Sequence, residues 1–295
     1  MKSVFVWNSV NISDFNYSED FEYIEQFFNE YFAPHRAIYL AKARHFFPLI
    51  LELEGLSRSN LVFIQPYSSH CVLSSVSYQS TPNTLVNSSF DASIIYHQYG
   101  YKNIVDQNKF KNIIIEDSVD SFFLGTNQNE IFPNNANYSI LSLPKLINSP
   151  FGAIAICKDE ISYEKLKKLI NDKNANIESS STYIDLIKKS HLTQAILEKH
   201  KFISPIISDI DKEFLSCKNI VKNNVEIVNQ RFDINVDFSK RLPSNIFIDE
   251  HCFIDTKFSK YIQEPYRHIF DYENGISIKK QLIPVHCGID WAKLI

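Results

Sequence analysis

A series of short, almost uninterrupted apolar runs constrains this chain more than any other feature: Leu61 to Gln65, Ser93 to His97, Asn112 to Asp117, Tyr138 to Ser142 and Gly152 to Cys157. Each is too short for an ordinary helix and lacks the alternation of a strand with one wet face. Strands buried on both faces imply a largely parallel sheet with helices on each side. Helix-compatible stretches between them, such as the one opening at Ser69, supply that cover. Ligands in such sheets sit at the carboxyl ends of the strands, so the residues closing each run are the first candidates for function.

Other segments frame this sheet. Ser18 precedes Glu19-Asp20, and Phe21, Ile24, Phe27, Phe28 and Tyr31 follow at helical spacing, which predicts an amphipathic helix ending near Pro34. A second helix is predicted from about Arg36 to Leu53, closing at Gly55 and kinked or split by Pro48. After a helix at Ser162 to Ile170, the Asn- and Ser-rich stretch Asn171 to Thr182 reads as a surface loop, and Ile177 to His200 as a long helix-like segment. Ser204-Pro205 reads as a hinge. Beyond it lie a helix (Asp211 to Val228) and strand-like runs (Asn245 to Asp249, Ile276 to Val285). The chain of 295 residues thus divides into a large α/β domain, 1–203, and a small C-terminal α+β domain, 204–295.

Composition removes several functional classes. A net charge of −4 offers no basic groove for nucleic acid and no polybasic patch for an anionic membrane. The load of 23 Phe and 15 Tyr therefore reads as core and subunit interface, not as a base-stacking platform. Met1 to Val10 lacks the pattern of a signal peptide, and no run of about 18 apolar residues occurs, so a cytoplasmic protein is expected. Five widely spaced cysteines without a CxxC pair suggest free thiols, with neither a disulfide framework nor a zinc site.

Two residues carry the chemistry. The run Ile113-Ile114-Ile115-Glu116-Asp117 ends in acids that alternation sends to opposite faces. Asp117, over the carboxyl end, could keep a pyridine nitrogen protonated, or could cap the segment that follows. Lys145, in Ser142-Leu143-Pro144-Lys145, precedes Leu146 and Ile147 and then Phe151-Gly152-Ala153. A lysine near apolar surroundings gives up part of its preference for charge and can attack an aldehyde, although alone the tetrapeptide is better explained as a surface turn. An acid closing one strand and a lysine at the mouth of another is the layout a pyridoxal phosphate (PLP) enzyme needs.

Further candidates are weaker singly. His97, where its strand should end, could meet a ligand ring or phosphate, or be structural. Pro66-Tyr67-Ser68-Ser69-His70 closes one strand and opens a helix, where backbone N–H groups favour an anion and aromatic rings could stack on a planar group. His286 and Cys287 point to opposite faces of a strand and read as structural or substrate-lining.

In order, Leu61 to His70, Asp91 to Gly100, Ile113 to Ser121 and Ser142 to Ala153 resemble the successive signatures of the PLP-dependent sugar aminotransferases of the DegT/StrS-like group. The resemblance covers roughly Pro34 to Lys158. It implies the aspartate aminotransferase-like fold type I, PLP as cofactor, a homodimer, and amino transfer from glutamate to a keto sugar on a nucleotide, in polysaccharide biosynthesis. It places Lys145 as the lysine that forms the internal aldimine and Asp117 as the partner of the pyridine nitrogen. His97 to Gly100 match the family's HxxG, Gly152 and Ala153 its small residues beyond the lysine, and His70 its stacking aromatic, with Ser69 where Thr or Ser is usual.

The sequence also departs from that pattern. Where the family cups the phosphate with a small Gly-Thr or Gly-Ser pair, this chain has His35-Arg36-Ala37, and Arg36 could still bind phosphate. Asp120 stands where the family has glutamine, adding negative charge near an anionic cofactor. Ser139 and Ser142 are both candidates for the phosphate serine, and the loop that reaches the partner's phosphate has no counterpart around Ile177 to His200. The departures leave two other readings open: a catalytically degenerate homologue acting in binding or assembly in surface-glycan biosynthesis, and PLP chemistry other than transamination.

Overall fold

The apolar runs become the middle of a seven-stranded sheet in a computed structural model that describes residues 21–66, 68–85, 89–106, 108–110, 113–147, 152–175, 210–234, 237–249, 266–271 and 276–294. Its strands are β1 (Arg36–Leu40), β2 (Leu61–Ile64), β3 (Thr81–Asn83), β4 (Ala92–Tyr96), β5 (Ile113–Asp117), β7 (Tyr138–Ser142) and β8 (Ala153–Cys157), and β6 (Ser121–Phe123) lies apart. The order is β1-β8-β7-β5-β4-β2-β3. Parallel pairing links β7, β5, β4, β2 and β3, whereas β8 runs antiparallel to both its neighbours. The sheet is therefore mainly parallel, as the doubly buried runs require.

Helices cover both faces. On one, α2 (Phe46–Leu53), α3 (His70–Val76) and α6 (Glu160–Asp172) enclose Ile38, Val62, Ile115 and Ile140. On the other, α1 (Phe21–Tyr31) and α7 (Ile210–Phe232) pack Phe28 and Phe214 over Tyr39, Leu141 and Ile154. Two short helices, α4 (Gln128–Ile131) and α5 (Leu143–Leu146), flank β7.

The expected helix from Arg36 to Leu53 is corrected: its first part is β1, paired with β8 from Arg36↔Cys157 to Leu40↔Ala153. Local pattern cannot separate the two, because Ala37 to Ala41 is apolar throughout. Tertiary contacts decide, since α1 covers the open edge of β1. Asn29 Oδ1 accepts the Ala37 N–H at 2.7 Å, and Glu25 Oε1 accepts the Tyr39 N–H at 3.1 Å. Two edge donors are thereby satisfied by side chains one turn apart. Pro48 neither kinks nor splits a helix; it lies in the first turn of α2, where its missing N–H would have had no partner.

The described C-terminal part mixes α7 and α8 (Trp291–Leu294) with β9 (Arg241–Pro243) and a sheet of order β10-β12-β11, from β10 (Asn245–Asp249), β11 (Tyr266–Asp271) and β12 (Ile276–Pro284). It is α+β, and its strand β9 pairs antiparallel with β6. One core joins Leu141 and Ile154 of the main sheet to Ile246, Ile283 and Trp291. Asn224 of α7 is fully buried and ties down the end of the chain: its Nδ2 donates to Val285 O, His286 O and Ile289 O, and its Oδ1 accepts the Trp291 N–H. The expected segment 177–200, the hinge at 204–205 and the boundary after 203 lie outside the described residues.

Gly100 explains the glycine after His97. Its φ is +98°, and a Cβ there would lie 2.5 Å from Pro243 Cα and 2.7 Å from Asp120 O. Gly100→Ala should cost about 3 kcal/mol or more through strain and forced displacement, seen as a lower urea midpoint at unchanged m. Among the described residues no helix is long and apolar enough to cross a membrane.

Candidate active site

Parallel strands β4, β5 and β7 end together, because Tyr96 pairs with Asp117 and Asp117 with Ile140. At that edge the chain sets four polar side chains. Asp117 is 2% exposed, and burial pushes its carboxyl up to about 7; Lys145 opposes that rise and Asp120 adds to it. Its Oδ1 accepts the Val119 N–H only at 3.4 Å, the long limit of a hydrogen bond. Lys145 Nζ lies 2.7 Å from Asp120 Oδ1. The Tyr96 hydroxyl donates to the other Asp120 oxygen. Burial opposes the Lys145 ammonium, but the charge and hydrogen bond of Asp120, aided by Asp117, outweigh it and hold the amine above its ordinary value.

Local sequence places Lys145. Ser142 ends β7 in extended conformation, Pro144 opens α5, and the turn is locked by Leu143 N–H donating to Gly152 O at 3.0 Å. Gly152 in turn donates to Ala41 O at 2.8 Å, which brings the end of β1 beside the lysine turn. Gly152 has φ +111°, and a Cβ would meet Leu143 Cδ1 at 2.9 Å. Lys145 keeps 18% of its side chain exposed.

The turn between β1 and α2 is cationic. It carries Lys42, Arg44 and His45, the last two in a 3₁₀ turn spanning Ala43–His45. Burial, then Lys42 and Arg44, hold His45 down at about 4, and burial with Arg44 lowers Lys42. Crowded positive charge at the start of a helix is a place for an anion such as a phosphate dianion.

This placement changes the account of several predicted residues. Arg36 and Ala37 begin β1 and pair with Cys157 and Ile156, level with the start of β7 and thus at the sheet end opposite Lys145. Arg36 instead bonds Glu160 at 3.0 Å and lies over the Tyr163 ring. At the Lys145 end of β1 the turn into α2 is Ala41 to His45, whereas His35 to Ala37 lie at the other end of that strand. Ser139 shares the strand parity of Leu141 and faces away from Ser142; its Oγ bonds Ser118 Oγ at 3.0 Å in a fully buried position. His97 is also fully buried, and burial with Arg241 pushes it down to about 4. Its Nδ1 accepts the Asn103 N–H, so Nε2 carries the proton and donates to Glu116 Oε2 at 3.0 Å. That network, completed by Asn134, belongs to the Glu116 face and braces the turn around Gly100.

The remaining predicted residues stand at the Lys145 edge. Ser142 closes β7 with no cap bond from its side chain. Ser69 and His70 open α3 and are exposed, and Ser69 Oγ contacts Cys71 Sγ at 3.1 Å. The Cys71 side chain is near enough to act electrostatically on Lys145, which links α3 to the same edge.

Sequence reasoning missed Tyr96, Lys42 and Arg44 as site residues. The signal for Tyr96 was its place level with Asp117 once β4 and β5 pair; for the cations it was a basic pair directly after an apolar strand. His286, left between two roles, is 3% exposed, and burial lowers it to about 4 against the pull of Asp120. Its Nδ1 accepts the Gly288 N–H at 3.1 Å, so Nε2 bears the proton, with no hydrogen-bond partner among the described residues.

The donor set fits PLP: a cationic turn for the phosphate, an acid at a strand end for the ring nitrogen and a partly exposed lysine for the aldehyde. The misfit is Asp120, a second carboxylate already engaged with that amine.

Comparison with solved structures gives the same fold at low identity. An aminotransferase, TlmJ from Streptoalloteichus hindustanus, superposes with a TM-score of 0.58 at 12% identity, over 98% of this chain and 89% of that one. Spr1654 from Streptococcus pneumoniae in its PMP form gives 0.57 at 12% identity, over 98% and 89%. DesI, determined in the presence of its TDP-sugar product, gives 0.50 at 11% identity over 79% of this chain and 61% of its own. Among curated protein sequences nothing matches. A family model described as "Putative PLP-dependent aminotransferase" matches residues 24–294. The chain belongs to that family of PLP-dependent aminotransferases, with the fold type I architecture expected from its runs and motifs.

Proposed function

We propose that this chain moves an amino group from an amino acid such as glutamate to a keto sugar carried on a nucleotide, with Lys145 as the reacting amine. The supporting observation is that Asp117 and Lys145, 28 positions apart in sequence, meet electrostatically at one sheet edge. Bound PLP would supply an aldehyde carbon and an electron-withdrawing ring. Asp117 would face the ring nitrogen and hold a proton there, its own carboxyl giving up protonation as the ring takes the charge. Lys42, Arg44 and the first N–H groups of α2 would hold the phosphate, with Ser142 nearby. His70 would cover one face of the ring. Lys145 Nζ would carry the proton between the substrate carbon and the cofactor.

The sugar class is supported by the likeness to DesI, whose structure was determined in the presence of its TDP-sugar product. Its nucleotide needs a cleft beside the lysine, and His286 offers a protonated Nε2 from the C-terminal part. A homodimer and a domain boundary after residue 203 belong to the same proposal, and sedimentation and limited proteolysis test them. The decisive experiment loads the purified protein with PLP, adds glutamate, and follows the visible cofactor band and 2-oxoglutarate release. A panel of nucleotide-linked keto sugars is then compared with free keto acids. Preference for keto acids would overturn the sugar; absence of any band would overturn the role of Lys145 and restore the non-catalytic reading.

A further inference from the structure

We propose that Asp120 is a latch on the reactive amine: its carboxylate holds Lys145 as an ammonium turned away from an incoming aldehyde, so cofactor capture requires that ion pair to open. The inference rests on the reading of Lys145 given above and adds a regulatory element to it. Lys145 Nζ lies 2.7 Å from Asp120 Oδ1. Asp120 is 5% exposed, so its charge is poorly screened. It is also fixed: Tyr96 donates to its second oxygen, and its own carbonyl is packed against Gly100. A glutamine in that position, as the resemblance leads one to expect, would accept a hydrogen bond from the amine without a full negative charge to stabilise the ammonium.

The chemistry sets the direction of the effect. Capture needs a lone pair on Nζ, which the ammonium lacks. Attack forms a bond from Nζ to the aldehyde carbon, and the aldehyde oxygen leaves as water with two of the three ammonium protons. The third stays on nitrogen, so atoms and charge balance. Any group that favours the ammonium lowers the fraction of amine ready to attack. The carboxylates facing Lys145 are those of Asp120 and of Asp117 at the end of β5, with the Cys71 side chain of α3 nearby, while Tyr96 and His286 face Asp120. Asp120 is in direct contact with Nζ in an ion pair. It is a positioning residue, acting through Lys145.

The test uses the full chain and two probes. Arylation of Lys145 by trinitrobenzenesulfonate, located by peptide mapping across a pH series, reports the neutral amine without any cofactor. Stopped-flow mixing with PLP reports capture. Asp120→Asn should speed both at pH 7.5 by about tenfold or more and move the pH midpoint of arylation downward. Asp120→Glu, which keeps the charge, should stay within a few-fold of wild type. In unaltered protein the arylation midpoint should lie above that of an exposed lysine, so the test survives if the Asn variant misfolds. An unchanged or slower Asn variant, or a wild-type midpoint below that of an exposed lysine, overturns the latch. Faster arylation with no PLP band in either protein upholds the latch and overturns the proposed function instead.

Discussion

Lys145→Ala will abolish the visible band of the PLP-loaded protein and lower amino-group turnover by about a thousandfold or more, since both covalent capture and the shuttled proton depend on one nitrogen. The substitution also removes the ammonium that pairs with Asp120 and faces Asp117. A carboxylate left without its partner in a buried setting is costly, so the alanine variant should lose about 2 to 4 kcal/mol of stability near neutral pH. Inactivity through unfolding must therefore be separated from inactivity through chemistry. Lys145→Arg does this: the guanidinium keeps the charge beside Asp120 but does not lose a proton to become a nucleophile. The arginine variant should melt within a few degrees of wild type and still show no band and no turnover. Amino transfer by the arginine variant would remove Lys145 from the mechanism.

Much of this site was legible because the strands that carry it are locally unambiguous. Tyr138 to Ser142 and Asn245 to Asp249 form strands with the expected bounds, since both faces of the first and one of the second are apolar. Asp117 could be placed over the carboxyl edge from alternation alone, with Glu116 sent to the other face, where it bonds His97 and Asn134. The parity that separates Glu116 from Asp117 also separates Ser139 from Ser142, and applying it there would have placed Ser139 on the face away from Ser142, where it bonds Ser118.

What stayed hidden depends on contacts between distant segments. The strand β1 needs Glu25 and Asn29 from the preceding helix to satisfy its edge, which no window around Arg36 reveals. Reading β1 as helix also hid the turn that follows it, with Lys42 and Arg44, at the Lys145 end of the sheet. His97 looks like a ligand residue in sequence because it closes a strand. Its partners Asn103 and Glu116, the latter held in turn by Asn134, make it a brace, and only tertiary structure supplies them. The family resemblance likewise identified Asp120 as a departure but not its contact with Lys145, which requires β5, its following turn and α5 to converge.

Asp117→Asn should separate function from architecture by the sign of its effect. The carboxyl of Asp117 rises from 3.8 to about 7 in the folded chain, mainly through burial. Between those values the folded protein holds a proton that the unfolded chain has lost, so the contribution of this group to stability falls as pH rises from about 4 to about 7. Above that window the buried charge costs up to about 4 kcal/mol, and below it nothing. Asparagine has the same shape, can still accept the long Val119 N–H bond, and does not titrate. The empty variant should thus be more stable than wild type at pH 8 in urea, with the difference closing toward pH 4. Amino transfer should fall in the opposite sense, by about a hundred- to a thousandfold, because a neutral amide holds no counter-charge for a protonated ring nitrogen. A structural cap would behave otherwise: its asparagine variant would lose stability at pH 8 and keep turnover. A residue whose charged form weakens the empty fold, yet whose removal silences the loaded enzyme, is held in place by the cofactor it serves.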